Sequence, residues 1–269
     1  MRLLKLLLVM LVCAAGPAVA GPYEDAVAAY FKGDYATAVR LLRQAADNGG
    51  AMAQYVLGDM YERGEGVPKD YATAAAWYRK AADQGLALAQ YYLGDLYEEG
   101  KGVPQDYATA AAWYQKAADQ GEARAQYNLG VMFAIGQGVP QHYATAAAWY
   151  RKAADQGHAR AQYNLGVMYE NGEGVPRDYA SAVAWYRKAA EQGNAHAQQR
   201  LGWMYWVGSG VQSDLVQANM WFNLAASRFD TSEKEHRDRA VKLRDSTAAK
   251  MTPAQIAEAQ KLAREWKLK

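Results

Sequence analysis

Apolar and small side chains recur every three to four residues along most of the chain, with polar positions between them. In the segment that begins at residue 53, one stripe contains Ala53, Leu57, Gly58 and Tyr61. This spacing is that of one face of an α-helix. The pattern therefore predicts an amphipathic helix whose apolar stripe packs against a partner.

A second helix is expected from Tyr71 to about Gln84, where Gly85 can take the left-handed conformation that ends a helix. Between the two helices, Pro68 cannot continue the first helix, and Asp70 offers an oxygen that can cap the second. The apolar stripe of this second helix consists of Ala74, Tyr78, Ala81 and Ala82. The two stripes predict a pair of antiparallel helices.

The phrase that contains the second helix recurs almost unchanged. It starts at residues 70, 106, 142 and 178, so each copy begins 36 residues after the last. A unit of this size cannot bury an apolar face alone, and successive units therefore stack on one another. The period predicts an all-α solenoid of stacked helix pairs.

Each unit also repeats a glycine in its first helix and an aromatic pair in its second. Gly58 costs about 1 kcal/mol relative to alanine in a helix interior. It recurs at 94, 130, 166 and 202, which predicts close approach by the neighbouring helix. The pair Trp77 and Tyr78 also recurs, and we expect its rings to pack between units. Sugar stacking by these tryptophans is the alternative.

Residues 161–193 read AQYNLGVMYENGEGVPRDYASAVAWYRKAAEQG. They contain A-Q-x-x-L-G-x-x-Y, G-x-G-V-P-x-D, A-x-x-W-Y and K-A-A-x-x-G in order. In these motifs the chain resembles the Sel-one-like repeat family, a relative of the tetratricopeptide repeat. The resemblance implies a right-handed α-solenoid, and residues 21–49 look like an opening unit of tetratricopeptide type. It covers five repeats of 36 residues over 50–229, at 50–85, 86–121, 122–157, 158–193 and 194–229.

Residues 230–269 follow the last repeat, and we expect them to form helices near 233–249 and 253–267 that cap the stack. Two pairs at capping-box spacing mark the helix starts, Ser232 with Glu235 and Thr252 with Gln255. The last helix carries one stripe that can cover the end of the solenoid, made of Ile256, Ala259, Ala263 and Trp266.

Residues 1–20 predict a secretory signal peptide. Arg2 and Lys5 precede a short apolar run, and Ala18-Val19-Ala20 forms an A-x-A cleavage site. The run is shorter than the ~20 residues that a membrane span needs. We expect cleavage after Ala20 and a periplasmic mature chain that begins at Gly21, with release from the cell as a variant.

The charge of the chain gives little indication of a partner. Without Arg2 and Lys5, the 30 basic residues become 28, the same number as the acidic residues. A near-neutral chain offers no basic stripe for nucleic acid. Residues 231–269 are the exception, with ten Lys and Arg against six Asp and Glu, and we interpret them as a solvated terminal face.

The resemblance implies that the first helices line a concave groove, which places partner-binding residues on their outward side. Asn128 and Asn164 can pair with the backbone of an extended peptide, or bond to a neighbouring loop instead. Arg124, Arg160 and His196 are candidates for binding a carboxylate, or ordinary solvated charges. The predicted partner-binding residues are Tyr91, Arg124, Tyr127, Asn128, Arg160, Tyr163, Asn164, Trp203 and Trp206.

The outward positions of these helices change from acidic to apolar along the chain. Asp59 and Asp95 give way to Val131 and finally to Trp203 and Trp206. Clustered exposed aromatic residues mark interaction surfaces, so the two tryptophans predict an anchor pocket. The alternative is that the C-terminal helices bury them.

Patterns for catalysis and metal binding are absent from the sequence. It has no S-x-x-K and no G-x-S-x-G motif, and the four histidines lack the spacing of metal ligands. We therefore expect a non-enzymatic protein without a cofactor or a metal.

Resemblance to bacterial members of the family implies an exported interaction scaffold or envelope regulator, expected to be a monomer. It would bind a partner protein or peptide in its groove. One alternative is a module that binds peptidoglycan or muropeptide, or processes the cell wall. A secreted factor that acts on host cells is a variant.

Overall fold

The computed structural model describes residues 22–267, which form helices and no strand. The signal peptide predicted over residues 1–20 lies outside the described residues. The helix pairs are α1 (Pro22–Phe31) with α2 (Tyr35–Asp47), α3 (Ala51–Arg63) with α4 (Tyr71–Asp83), α5 (Ala87–Glu99) with α6 (Tyr107–Asp119), α7 (Ala123–Ile135) with α8 (Tyr143–Asp155), α9 (Ala159–Asn171) with α10 (Tyr179–Glu191), and α11 (Ala195–Val207) with α12 (Leu215–Arg228). Two further helices follow, α13 (Lys234–Ala248) and α14 (Pro253–Lys267).

The helix pairs stack in the manner expected of a solenoid. Helix α3 packs against α4 of its own repeat and against α2 of the preceding unit, and α11 likewise packs against α12 and α10. The prediction of an all-α solenoid is confirmed.

The chain divides into two compact units. Unit 1 contains the residues up to 125 together with Gln137–Val139. Unit 2 contains Gln126–Gly136 and the residues from Pro140 onward, so the boundary falls within α7.

The repeated glycine of each first helix lies against an aromatic ring of the second helix in the same repeat. A Cβ added at Gly58 would lie 2.7 Å from Cδ1 of Tyr78, which is much closer than carbon atoms approach one another. The predicted close approach is confirmed, and the group that approaches is a buried ring. The same contact occurs at Gly94 with Tyr114, Gly130 with Tyr150, Gly166 with Tyr186, and Gly202 with Phe222.

The loop glycines position one repeat against the next. Gly64 ends α3 in the left-handed conformation, with φ 73°. Gly102, in the following loop, would place an added Cβ 2.2 Å from the backbone carbon of Tyr71, at the start of α4. Because the loop touches the backbone of the preceding second helix, only glycine fits there.

Aspartate caps most of the second helices, as predicted. Asp70 accepts hydrogen bonds from the backbone N–H groups of Ala72 and Thr73, at 3.0 and 3.1 Å. His142 replaces aspartate before α8, and its Nδ1 accepts from the Thr145 N–H at 3.2 Å. A histidine therefore preserves the cap with one bond in place of two.

The first helix of each 36-residue repeat carries a buried glutamine, and in the fourth repeat this glutamine connects two successive second helices. Gln162 donates through Nε2 to the carbonyl of Ala154 at 3.0 Å, and its Oε1 accepts from Gln192 at 2.7 Å. The first contact reaches the last turn of α8, and the second reaches the residue that ends α10. Gln162 thus satisfies polar groups at two helix ends that would otherwise be buried without partners. In the last repeat Gln198 also donates to a carbonyl, that of Ala190, but its Oε1 has no partner among the described residues, and Arg228 stands where the earlier repeats have the second glutamine.

The two helices after the last repeat lie close to their predicted positions. Thr252 and Gln255 form the predicted capping box, since the Thr252 N–H donates to Gln255 and the Gln255 N–H donates to Thr252. The predicted box of Ser232 with Glu235 is wrong. Asp230 takes the capping role instead, because its carboxylate accepts several hydrogen bonds at once. The donors are the backbone N–H of Ser232 at 2.7 Å, the hydroxyl of Ser232 and the backbone N–H of Glu233.

Helix α14 packs on the second helix of the last repeat. Trp266 meets Trp221 of α12 edge to face, with ring centroids 5.0 Å apart. Ala259 and Ala263 of the predicted stripe are buried. The apolar side of α14 therefore covers α12.

Replacing Gly130 by leucine is expected to lower the free energy of unfolding by at least about 2 kcal/mol, because the new side chain must displace the Tyr150 ring. Urea denaturation followed by circular dichroism measures the change. Ala148→Leu on the exposed side of α8 is the matched control and is expected to unfold at the urea concentration of the unaltered protein. Equal midpoints for the two variants would contradict the packing role of the glycine.

Candidate interaction surface

Seven of the nine predicted partner-binding residues belong to unit 2, and only Tyr91 and Arg124 belong to unit 1. The Arg124 guanidinium lies 4.3 Å from the ring centroid of Tyr91. It donates to Glu122 at 2.8 Å and to the hydroxyl of Tyr92 at 3.2 Å. Arg124 is thus half-buried and already paired, which lowers its capacity to bind a carboxylate from outside.

In unit 2, side chains from α7, α9, α11 and α13 form a continuous depression. A cleft of about 420 Å³ adjoins a cavity of about 270 Å³, and both are lined by Tyr163 and His196. We call the two together the unit 2 cleft. The larger part, of about 420 Å³, is also lined by Tyr127, Arg160, Asn164, Arg228 and Glu233. The smaller part, which we call the cavity, is also lined by Gln199, Arg200, Trp203, His236, Arg239 and Leu243.

Aromatic and imidazole rings form the floor of the unit 2 cleft. Tyr127 stacks on His158 with centroids 4.6 Å apart, and Tyr163 lies 5.8 Å from His196. His196 also lies edge to face with His236 at 4.9 Å. Its Nε2 is 3.0 Å from Oε1 of Glu233, so the rings are fixed by contacts on several sides.

The amide of Asn164 is engaged inside the protein. It hydrogen-bonds the side chains of Tyr127 and Tyr150. Burial raises the pKa of the Tyr127 hydroxyl, and the bond from Asn164 opposes that rise. Asn164 therefore holds the two tyrosines in position. This arrangement is closer to the predicted alternative, a hydrogen bond inside the protein, than to direct contact with a peptide.

Arginines give the unit 2 cleft a positive surface. Arg160, Arg228 and Arg239 are exposed, and none of them forms an ion pair with any residue from 22 to 267. Arg200 is paired with Glu170, and its Nη1 lies 3.4 Å from Oε1 of the glutamate. Among the described residues, the only carboxylate that lines the unit 2 cleft is that of Glu233. The cleft therefore has more cations than its own side chains neutralise.

Trp203 and Trp206 stack on each other with centroids 5.1 Å apart. The alternative that the C-terminal helices bury them is wrong for Trp203, which is 38% exposed and lines the cavity. Trp206 is half-buried, and the Lys250 ammonium lies 4.5 Å from its ring centroid. The exposed ring of Trp203 therefore packs against the half-buried ring of Trp206.

Three arginines of the unit 2 cleft were not among the predicted residues, namely Arg200, Arg228 and Arg239. Arg239 lies on α13, outside the repeats, and Arg228 ends the last second helix. The sequence signal for Arg239 is the basic excess of residues 231–269, a feature that by itself indicates only a solvated terminal face. Its position beside the repeats depends on how α13 packs, and periodicity carries no information about that.

Unit 1 contrasts with this surface, because its outward acidic residues bind tyrosine hydroxyls. Tyr114 donates to Asp95 at 2.6 Å, and Tyr78 donates to Glu62 at 2.8 Å. Burial raises the pKa of Asp95 to about 7 and that of Asp59 to about 6. These carboxyl groups are therefore internal components of unit 1.

The repeated tryptophans of the second helices are mostly buried. Trp113, Trp149 and Trp185 are 7–8% exposed. A lysine ammonium lies 3.8–4.0 Å from the centroid of each of these rings. Packing accounts for their repetition, and the reason to expect sugar stacking at these positions is removed.

Within residues 22–267, no group of histidine, cysteine, aspartate and glutamate side chains is arranged to hold a metal ion. None of the helices described there is both long and apolar enough to cross a membrane.

The Sel1 repeat family model matches six segments of the chain, residues 26–50, 51–86, 87–122, 123–158, 159–194 and 195–228. The chain therefore belongs to the Sel1 repeat family, the Sel-one-like family whose motifs it carries. The first match, at residues 26–50, overlaps the segment 21–49 that was predicted to be an opening unit of tetratricopeptide type, and the family model matches it as a further Sel1 repeat. Proteins of the family are generally non-enzymatic scaffolds for protein interaction.

Two solved structures resemble this one over most of the chain. One is c5321, a protective antigen of uropathogenic Escherichia coli with an SLR fold, at 37% identity and a TM-score of 0.79 over 91% of this chain and 53% of that chain. The other is a Sel1 repeat protein from Oxalobacter formigenes, at 32% identity and a TM-score of 0.75 over 91% of this chain and 97% of that chain. The chain thus spans about half the length of the antigen. No curated protein matches the present chain.

The raised pKa values of Asp59 and Asp95 predict how stability depends on pH. Folding raises both from an ordinary value of 3.8, so the folded chain binds these protons more tightly than the unfolded chain. Their contribution is complete below about pH 4 and is lost as the pH rises through 6 and 7. Between pH 4.5 and pH 8 we expect a loss of about 2–4 kcal/mol in the free energy of unfolding, measured by urea denaturation.

The variant Asp59→Asn with Asp95→Asn is expected to remove most of this loss. Asp178→Asn is the control, because the hydrogen bond from Ser181 lowers the pKa of Asp178 and leaves it charged throughout the range. A double variant with the pH dependence of the unaltered protein would show that these carboxyl groups do not titrate as described.

Proposed function

We propose that the chain is a scaffold that binds an acidic segment of a partner protein or peptide in the unit 2 cleft. The observation that carries the proposal is the unbalanced charge of that cleft. Arg160, Arg228 and Arg239 lie on its surface without a carboxylate partner among the described residues, and Glu233 is taken by His196. An acidic segment would supply the missing negative charge.

The side chains around the cleft are of the types that contribute most at protein interfaces. The planar guanidinium of arginine binds a carboxylate through two parallel hydrogen bonds. Tyr127, Tyr163 and Trp203 add ring surfaces, and Trp, Tyr and Arg dominate the binding energy of known interfaces. In this proposal Asn164 acts indirectly, by positioning Tyr127.

We also propose that the chain is exported and works in the bacterial envelope. The signal-like residues 1–20 support this, and so does the similarity to a protein described as a protective antigen. Protein recovered from a periplasmic fraction is expected to begin at Gly21 when its N-terminus is sequenced. Protein that keeps Met1 and stays in the cytoplasmic fraction would contradict export.

The proposed binding site is tested by panning random peptides on the immobilised protein and measuring the selected peptides by fluorescence anisotropy. We expect an excess of Asp and Glu among them, and binding that weakens as salt rises. The double change Arg160→Glu and Arg228→Glu is expected to weaken their binding at least about tenfold, because it replaces two attractive charges by repulsive ones.

Arg177→Glu with Lys261→Glu is the matched control. It alters net charge by the same amount at exposed positions of unit 2 outside the cleft. If both double variants lose the same affinity, the effect comes from net charge, and the unit 2 cleft is not the binding site.

A further inference from the structure

The cavity in the unit 2 cleft occurs where the fifth repeat departs from the pattern of the others. In earlier repeats a tyrosine of the first helix lies against the tyrosine of the second, as Tyr163 does with Tyr186 at a centroid distance of 5.9 Å. The fifth repeat has Gln199 at that position, followed by Arg200 where the preceding repeat has Asn164. These two residues line the cavity.

Helix α13 forms the far wall of this cavity. It packs on α12, the second helix of the last repeat, in the place where a further repeat would put its first helix. His236, Arg239 and Leu243 of α13 line the cavity. The unit 2 cleft, followed from Tyr127 through α9 and α11, thus ends against a helix that is not part of a repeat.

The lining combines cations with apolar surface in a small volume. The Arg200 and Arg239 guanidinium groups share the cavity of about 270 Å³ with Trp203 and Leu243. Arg239 has no ion pair among the described residues, whereas Arg200 is partly neutralised by Glu170. A matching ligand carries a carboxylate and an apolar group close together.

An internal acidic residue of a peptide does not meet this requirement, because it carries a carboxylate and no apolar group of its own. A C-terminal residue with an apolar side chain carries both on one Cα atom. We propose that the cavity binds the C-terminal residue of the partner polypeptide, with its carboxylate at Arg239 and its side chain against Trp203 and Leu243. This inference rests on the proposed function, since it names the end of the acidic segment that the cleft would hold.

The test uses a peptide library displayed with free C-termini. The best-binding peptide is then synthesised with a free carboxylate and, separately, as the C-terminal amide. We expect an apolar last residue after an acidic stretch, and an amide that binds the intact protein at least about tenfold more weakly than the acid. In Arg239→Gln the acid and the amide are expected to bind equally, whereas Arg177→Gln is expected to keep the difference.

A second variant tests the apolar half of the cavity. Trp203→Ala is expected to weaken a peptide that ends in leucine more than the same peptide ending in alanine, because only the leucine side chain loses a contact. Equal weakening of the two peptides would contradict the placement of the side chain against Trp203.

The results separate this inference from the proposed function. Equal binding of the acid and the amide to the intact protein would overturn C-terminal recognition. The proposed function would still stand in that case, provided that Arg160→Glu with Arg228→Glu weakened binding of the peptide. If those two changes had no specific effect on any selected peptide, the proposed function itself would fail. Circular dichroism of each variant is the folding control, and we expect the exposed substitutions to leave the helices intact.

Discussion

The contact between a glycine of the first helix and an aromatic ring of the second determines how each of the five 36-residue repeats is built. An added Cβ at these glycines would lie 2.6–2.8 Å from the ring, so any other residue would force the two helices apart. The glycine costs helix stability, and the buried ring offsets that cost by filling the space a side chain would have occupied. Because the contact recurs at one position in five repeats, it sets a constant spacing from which the other contacts follow.

One consequence of this spacing is that residues repeated in the chain, a glutamine and a loop glycine, contact helices of the neighbouring repeat and so connect the repeats. Gln162 reaches the carbonyl of Ala154 and the side chain of Gln192 only because the helices around it lie close together. Gly102 touches the backbone of Tyr71 for the same reason. Since these links use positions that are the same in each repeat, the outward positions of the first helices are left to vary, and that variation forms the candidate site.

The period, the apolar stripes and the capping residues predicted the helices to within a few residues, because they depend on interactions inside one repeat. The candidate site depends on what the next repeat or α13 presents, and there prediction was less complete. Asn164 lines the unit 2 cleft, but its amide is used by Tyr127 and Tyr150. Arg239 was missed because it lies outside the repeat pattern. Before α13, Asp230 displaced the predicted Ser232 cap, since a carboxylate accepts several N–H and O–H groups at once.

The charge of the unit 2 cleft has its origin in changed outward positions, where carboxylates are lost and arginines are gained. Asp59 and Asp95 of unit 1 are bound by an arginine or by tyrosine hydroxyls, and the equivalent positions of the later repeats hold Val131, Val167 and Trp203. The later repeats also gain arginines on this side, since Arg160 and Arg200 stand where the first repeat has Met52 and Val56. The positive surface therefore combines added arginines with the loss of acidic side chains. The same replacements supply the apolar surface beside the arginines. A repeat protein can in this way acquire a binding site by changing a few outward positions while the glycine contact keeps the scaffold unchanged.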